Sequence, residues 1–225
     1  MTLPNTDKYK VYHFNGGKKL SDKFSNCSGI KNNNIRCLIL DSRSNKKTFS
    51  GPFRSYQSLK RWILFKAKNN YTLSNKLGWS YGHINRSMNT KDTITYALIV
   101  KTPGNIFQLE GIIIAQSLVD EAELLFVFVR KISRRTGLGA FLLENALRHL
   151  ARTGTIDVFL EVARSNRAAT HLYEKNFFRC VGTRTNYYKQ GKVRAEDAIV
   201  YRRTLSSSAI LTKNLLKKNF YFTST

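Results

Sequence analysis

Residues 130–150 read RKISRRTGLGAFLLENALRHL. Arg134, Arg135 and Thr136 lead into Gly137, Leu138, Gly139 and Ala140, and a run of helical periodicity follows. A strand that ends in such a turn leaves backbone N–H groups free at a helix N-terminus, where the helix dipole adds partial positive charge. Glycine permits positive φ and close backbone approach, so successive N–H groups can form an anion nest. The two arginines add full charges, and pyrophosphate is the natural guest. The turn is not a P-loop, because no Gly-Lys-Ser/Thr follows. It is not the G-x-G-x-x-G dinucleotide fingerprint either, because Leu142 fills the third position. On these residues alone, an ordinary strand-to-helix turn with solvated arginines is the alternative.

The second group with a chemical signature is Glu161, in the run DVFLEV. At strand spacing, Val158, Leu160 and Val162 share one face, and Phe159 and Glu161 share the other. A mid-strand carboxylate among apolar residues is costly unless paired or useful. Glu161 is therefore either a general base or a strand glutamate that points to solvent or pairs with an arginine.

The chain that positions these groups has 225 residues. That length suits one domain with tails, or at most two small domains. Apolar residues make up 42%, which excludes wholesale disorder. Lys and Arg number 38 against 14 Asp and Glu, for a formal charge of +24. Such an excess attracts polyanions such as RNA or ribosomes. Compositional drift in a Lys- and Asn-rich chain explains it equally well. Residues 1–95 carry 18 basic and 4 acidic side chains, and residues 96–203 carry 17 and 10, so the acids concentrate around the candidate chemistry. Cys27, Cys37 and Cys180 form neither a disulfide framework nor a zinc spacing, and the four histidines do not cluster. No metal and a reducing compartment are expected. LLFVFV and GIIIA are too short to span a bilayer, and the N-terminus lacks an apolar signal core. The expected location is the cytoplasm, with no membrane partner.

Periodicity places the elements. Residues 1–44 are polar and turn-rich, with IRCLIL as one candidate strand, and read as a basic, loosely ordered extension. FRSYQSLKRWILFKAK puts Leu59, Trp62, Ile63 and Lys66 on one helical stripe, and LGWSYGHI opens a second short helix with Ser80 as candidate N-cap. Two β-rich runs flank Pro103-Gly104, which suits a type II turn in a hairpin. ELLFVFV reads as a central strand, too apolar to have a wet face. After the glycine turn, Leu142, Leu143, Ala146, Leu147 and Leu150 line one helix face, while Glu144, Arg148 and Arg152 are polar. DVFLEV is a strand, and SNRAATHLYEK is a helix capped by Ser165 or Asn166. FFRCVGTR and DAIVYRR are two final strands. Residues 204–225 form a basic tail. The fold class is mixed α/β, with a central mixed sheet, an N-terminal helix pair, a β-hairpin and one parallel βαβ crossover, carried by a domain over residues 45–203.

RRTGLGA fits Arg/Gln-x-x-Gly-x-Gly/Ala and resembles the acetyl-coenzyme A pyrophosphate loop of the GNAT acetyltransferase superfamily. FLEVARSNRAATHLYEKNFF resembles the next strand and helix of that fold. EAELLFVFV, NYYKQGKVRAEDAIV and GWS at Gly78–Ser80 resemble its bacterial ribosomal-protein-alanine N-acetyltransferase branch. The resemblance covers roughly residues 76–203. It departs at Arg130-Lys131, where the family usually has Asp/His-Pro, and at Phe177, where it usually has glycine.

The resemblance implies an enzyme that moves acetyl from acetyl-CoA, without a metal, to the N-terminal amine of a protein. A ribosomal protein alanine is the expected acceptor. It implies Glu161 as general base and Tyr173 as general acid at the coenzyme sulfur. It implies Asn166 and the loop residues 134–140 at the coenzyme, with the strand Phe126, Val127, Phe128 and Val129 offering backbone groups to pantetheine and one N–H to the oxyanion. Tyr187 and Tyr188 fall in a loop that resembles the peptide-acceptor cover, and they read equally well as plain strand aromatics. Glu121 and Glu123 are acidic contacts for a basic acceptor. A monomer is expected. A ribosome or RNA contact through the basic surface is open, as are a lysine, polyamine or small-molecule acetyltransferase and a non-enzymatic RNA binder.

Overall fold

In the computed structural model, residues 14–15, 35–41, 56–69, 81–101, 107–190 and 194–205 are described. Ser80, Gly78–Ser80 as a motif, the Pro103-Gly104 turn and the C-terminal tail lie outside them. The elements are β1 (Phe14–Asn15), β2 (Ile35–Asp41), α1 (Tyr56–Asn69), α2 (Tyr81–Ser87), β3 (Thr93–Lys101), β4 (Phe107–Leu118), β5 (Glu121–Val129), a 3-10 turn (Lys131–Ser133), α3 (Leu138–Arg152), β6 (Asp157–Ala163), α4 (Arg167–Lys175), β7 (Arg179–Gln190) and β8 (Arg194–Thr204). The chain divides into two compact units, Met1–Gln116 with Leu125–Asn145, and Ser117–Leu124 with Ala146–Thr225. Strand β5 and helix α3 run through both.

In the first unit, antiparallel ladders join β1 to β2, β2 to β3 and β3 to β4. The register Ile35↔Val100 through Asp41↔Ile94 puts β2 inside the sheet. A boundary at residue 45 therefore leaves two of the sheet's own strands, β1 and β2, outside the domain. The candidate strand IRCLIL is β2; its polar flanks give no sign that it joins the sheet, because a strand beside β3 is held by backbone pairing as much as by its own pattern. On α1, Leu59, Ile63 and Leu64 pack with Ile84, Ile112, Ile114, Phe126 and Phe128. Trp62 and Lys66 of the expected stripe are only half-buried and stack with each other, ring to ammonium, at 5.7 Å. Lys60 is buried instead, and donates to Asn89 Oδ1. Gly111 has a packing reason: a Cβ there would lie 2.9 Å from Leu142 and 3.0 Å from the Phe128 carbonyl.

In the second unit, the start of β5 pairs in parallel with β6, from Glu121↔Asp157 to Leu124↔Leu160. Strand β8 pairs antiparallel with both β6 and β7. This is the single expected βαβ crossover, with α3 as its helix. Its leucine stripe is buried as the periodicity requires, each leucine contributing ~2 kcal/mol. Strand β5 differs from expectation. Ala122, Leu124, Phe126 and Phe128 are buried, whereas Glu121 and Glu123 are exposed and Leu125, Val127 and Val129 are half-buried. An apolar strand can keep one open face where a ligand, not a second layer, is to cover it.

Phe177, at the end of α4, has φ 62 and is 77% exposed. It fills the left-handed position where helices usually carry glycine, and the Phe178 N–H closes back on the Tyr173 carbonyl at 3.0 Å. A left-handed conformation costs a non-glycine residue about 1–2 kcal/mol. The Arg203 guanidinium over its ring, at 5.6 Å, offsets part of this. Phe177→Gly is expected to raise stability by about 0.5–1 kcal/mol in urea denaturation. A loss of stability would mean that the arginine stack outweighs the backbone strain.

Candidate active site

The anion loop belongs to the first unit. Its strand, β5, ends at Val129, and the 3-10 turn carries the chain to Arg134. Arg135 has φ 63 and Gly137 has φ 86, so two left-handed residues bend the backbone immediately before α3. The first N–H groups of α3 have no partner within the helix, and the Phe141 N–H donates to the Gly137 carbonyl at 3.0 Å. Arg134, Arg135 and Gly137 are exposed, Thr136, Gly139 and Ala140 are half-buried, and Leu138 is buried beneath them. The Arg134 Nε donates to the Val129 carbonyl at 2.9 Å, and Thr136 Oγ1 donates to the Ser133 carbonyl at 2.7 Å. Positive φ, open N–H groups and arginine charge together fit a pyrophosphate.

The carboxylate cluster belongs to the second unit. Glu161 lies on the half-exposed face of β6, its side chain 13% exposed. It is not isolated: Arg184 Nε sits 2.9 Å from its Oε1, and the Tyr187 hydroxyl donates to it. The arginine-paired alternative for Glu161 is therefore the observed state. It does not exhaust the carboxylate, whose two oxygens accept several bonds. Arg184 shares the face of Glu161 because the β7–β8 register shifts between Cys180 and Gly182, which sets Gly182 opposite Val200; the ladder shifts again between Arg184↔Ala198 and Tyr188↔Glu196. At that irregularity Asn186 has φ 55, and its N–H donates to Asp197 Oδ1 at 3.1 Å. Tyr187 and Tyr188 thus stand on an irregular strand rather than a loop, edge to face at 5.2 Å, with the Arg184 guanidinium 5.4 Å from the Tyr187 ring.

Glu123 joins this cluster. Although the residue is exposed, its neighbours partly screen the carboxyl from water, and this, then the Glu161 charge, raises it above the usual range against the opposing pull of Arg184. Glu121 does not join it. Its register partner is Asp157, roughly 13 Å along the strand from Glu161. Burial, and then Glu161, pushes the Tyr188 hydroxyl up to about 12. Tyr173, on α4, is 5% exposed and packs edge-on to Phe178 at 5.8 Å and tilted to Tyr201 at 6.4 Å. Burial, then the Tyr188 neighbour, raises its pKa, so it keeps its proton throughout the neutral range. Asn166, not Ser165, caps α4, its Oδ1 accepting from the Ala169 N–H at 3.3 Å.

No signal in the sequence marks Arg184 as the partner of Glu161. Phe126–Val129 stand as expected at the end of β5, with Phe126 and Phe128 inward and Val127 and Val129 half-open. The ladder to β6 ends at Leu124, so the backbone beyond it is not held by that strand.

Residues 96–177 match the Acetyltransferase (GNAT) family. The bS18 ribosomal-protein-alanine N-acetyltransferase of Haemophilus influenzae is 31% identical over 122 residues, 54% of this chain and 79% of that protein. The chain belongs to the GNAT acetyltransferase family. The same-named protein of Salmonella typhimurium is 39% identical over 93 residues, which are 41% of this chain and 62% of that protein. The match thus spans less than two thirds of that relative. The crystal structure of the Escherichia coli ribosomal-protein-S18-alanine N-acetyltransferase superimposes with a TM-score of 0.55 at 30% identity, covering 64% of this chain and 88% of that one. The GNAT fold is therefore the architecture of this protein, and its mixed sheet with a parallel crossover is the expected one. Among the described residues, no helix is long and apolar enough to cross a membrane.

Proposed function

We propose that this protein transfers acetyl from acetyl-CoA to the N-terminal α-amino group of a protein, with alanine of a ribosomal protein as the acceptor. The observation that carries the reading is that one GNAT chain carries two features, each within its own unit. One is the open, left-handed glycine loop at the head of α3. The other is the Glu161 carboxylate flanked by Tyr187, Tyr188 and Glu123. GNAT acetyltransferases use acetyl-CoA, and the relatives named above act on a ribosomal protein alanine.

In this reading the coenzyme supplies a thioester. Gly137, Leu138 and Gly139 hold its pyrophosphate through their N–H groups, with Arg135 adding charge. Asn166 contacts the coenzyme beside its cap. Beyond the end of the ladder to β6, the backbone of Phe126–Val129 pairs with pantetheine, and one of its N–H groups stabilises the oxyanion. An N-terminal amine has a pKa near 8, so little free energy is needed to present it deprotonated. Glu161 accepts the proton that the amine nitrogen loses as the C–N bond forms and the C–S bond breaks. Tyr173 faces the departing sulfur. A phenol with a raised pKa does not surrender its proton outright to a thiolate, whose conjugate acid lies near 8.5. Its contribution is a hydrogen bond that strengthens as the sulfur gains charge. Tyr187, Tyr188 and Glu123 line the acceptor's approach and suit a basic peptide.

Tyr173→Phe keeps the packing against Phe178 and removes only the hydroxyl. It is expected to lower kcat about tenfold to a hundredfold with the acetyl-CoA KM nearly unchanged. A wild-type kcat would confine Tyr173 to packing.

Intact-mass and fragment mass spectrometry of ribosomal proteins incubated with this protein and acetyl-CoA tests the whole reading. One acetyl group on the N-terminal alanine of a ribosomal protein is the expected result. Acetyl on lysine side chains would replace the acceptor class. No transfer and no coenzyme binding would overturn the reading.

A further inference from the structure

The segment between β5 and the glycine loop is where the sequence departs from the resemblance, at Arg130-Lys131. A buried acid on another strand meets that departure. Glu110 is 4% exposed, in the middle of β4, where a bare carboxylate is costly unless paired. The β3–β4 register runs Leu98↔Gly111 and then Ile99↔Leu109, so Glu110 is the extra residue of a bulge. Bulges turn a side chain out of the regular alternation. Here the carboxylate meets both ends of the 3-10 turn. Arg130 Nη1 donates to Oε1 at 3.0 Å, and Ser133 Oγ donates to Oε2. The Arg130 N–H also donates to the Glu110 carbonyl at 2.9 Å. From Ser133 the restraint passes on, because its carbonyl accepts from Thr136 Oγ1 at 2.7 Å. Thr136 immediately precedes Gly137.

We propose that Glu110 is a positioning residue for the coenzyme loop, fixing Arg130 and Ser133 so that residues 134–139 are held in the conformation that receives a pyrophosphate. The inference rests on the acetyl-CoA reading of that loop. Arg130 neutralises the carboxylate, so an acid can sit behind an anion site without repelling its guest. In the same way, Arg130 serves the loop's shape and leaves Arg135 and the backbone N–H groups to meet the phosphates. Preorganised N–H groups bind without having to be ordered first, and misplacing them by an ångström lowers affinity steeply.

Three full-length variants test this, by calorimetric titration with acetyl-CoA and by steady-state kinetics. Glu110→Ala is expected to raise the Kd and KM for acetyl-CoA about tenfold, with kcat at saturating coenzyme and the acceptor KM unchanged. Glu110→Gln, which still accepts hydrogen bonds, is expected to recover part of the loss. Ser133→Ala leaves the Arg130–Glu110 pair intact, so it stays folded even where Glu110→Ala does not. It is expected to raise the Kd severalfold. A purely structural role would lower kcat and the active fraction instead, without this split. Unchanged acetyl-CoA affinity in folded Glu110→Gln and Ser133→Ala would overturn the inference while leaving the coenzyme reading standing. A wild-type protein that binds no acetyl-CoA would overturn both.

Discussion

Glu161→Gln is expected to lower turnover by about a hundredfold or more, the usual contribution of a positioned general base, while the acetyl-CoA Kd stays within about twofold. Glutamine preserves the shape of the side chain and keeps one carbonyl oxygen, but cannot take a proton from the attacking amine. The structure sharpens the expectation. Glu161 is held from one side by Arg184 at 2.9 Å and receives the Tyr187 hydroxyl, so it is fixed in place before the acceptor arrives. The substitution also leaves Arg184 without its ionic partner. That side chain is more than half exposed, so water takes over and little folding free energy is lost. Initial rates across pH, with coenzyme binding measured separately, check the result. An unchanged kcat would reduce Glu161 to the anchor of an ion pair, and Glu123, on the adjoining strand, would be the next carboxylate to test.

Gly137→Val is expected to weaken acetyl-CoA binding more than a hundredfold. Two effects act together. Gly137 has φ 86, which a β-branched residue adopts only under strain of about 1–3 kcal/mol. The chain would relieve that strain by turning the loop, and the N–H groups aimed at the pyrophosphate would turn with it. The valine methyls would also stand where a phosphate oxygen must approach the backbone. Loss of both effects' worth of affinity is tenfold for every 1.4 kcal/mol. Calorimetric titration with acetyl-CoA, with circular dichroism to confirm folding, decides it. Retained affinity in a folded variant would place the pyrophosphate elsewhere.

What could be read from the chain alone follows from local rules. The α3 stripe Leu142, Leu143, Ala146, Leu147 and Leu150 is legible because a 3.6-residue period fixes which positions share a face. The alternation of β6, the Asn166 cap and the parallel crossover follow from equally local rules. Gly137 was legible because few residues tolerate its φ. Glu161 and Tyr173 stood out by type and spacing within a resemblance.

Other features depend on register and on contacts between distant segments. Whether Glu161 stands alone or paired depends on a slip in the β7–β8 ladder that brings Arg184 to it. That Glu123 and not Glu121 shares its surroundings depends on the offset between two parallel strands, which no period within either strand encodes. The role of Glu110 depends on a bulge that lets a β4 carboxylate reach Arg130 and Ser133. The chain by itself thus determined the elements, the glycine loop and the family of chemistry, because these rest on backbone preference and side-chain type over short spans. Only the tertiary structure decided which charges meet, because a partner across strands is set by the pairing of residues far apart in sequence.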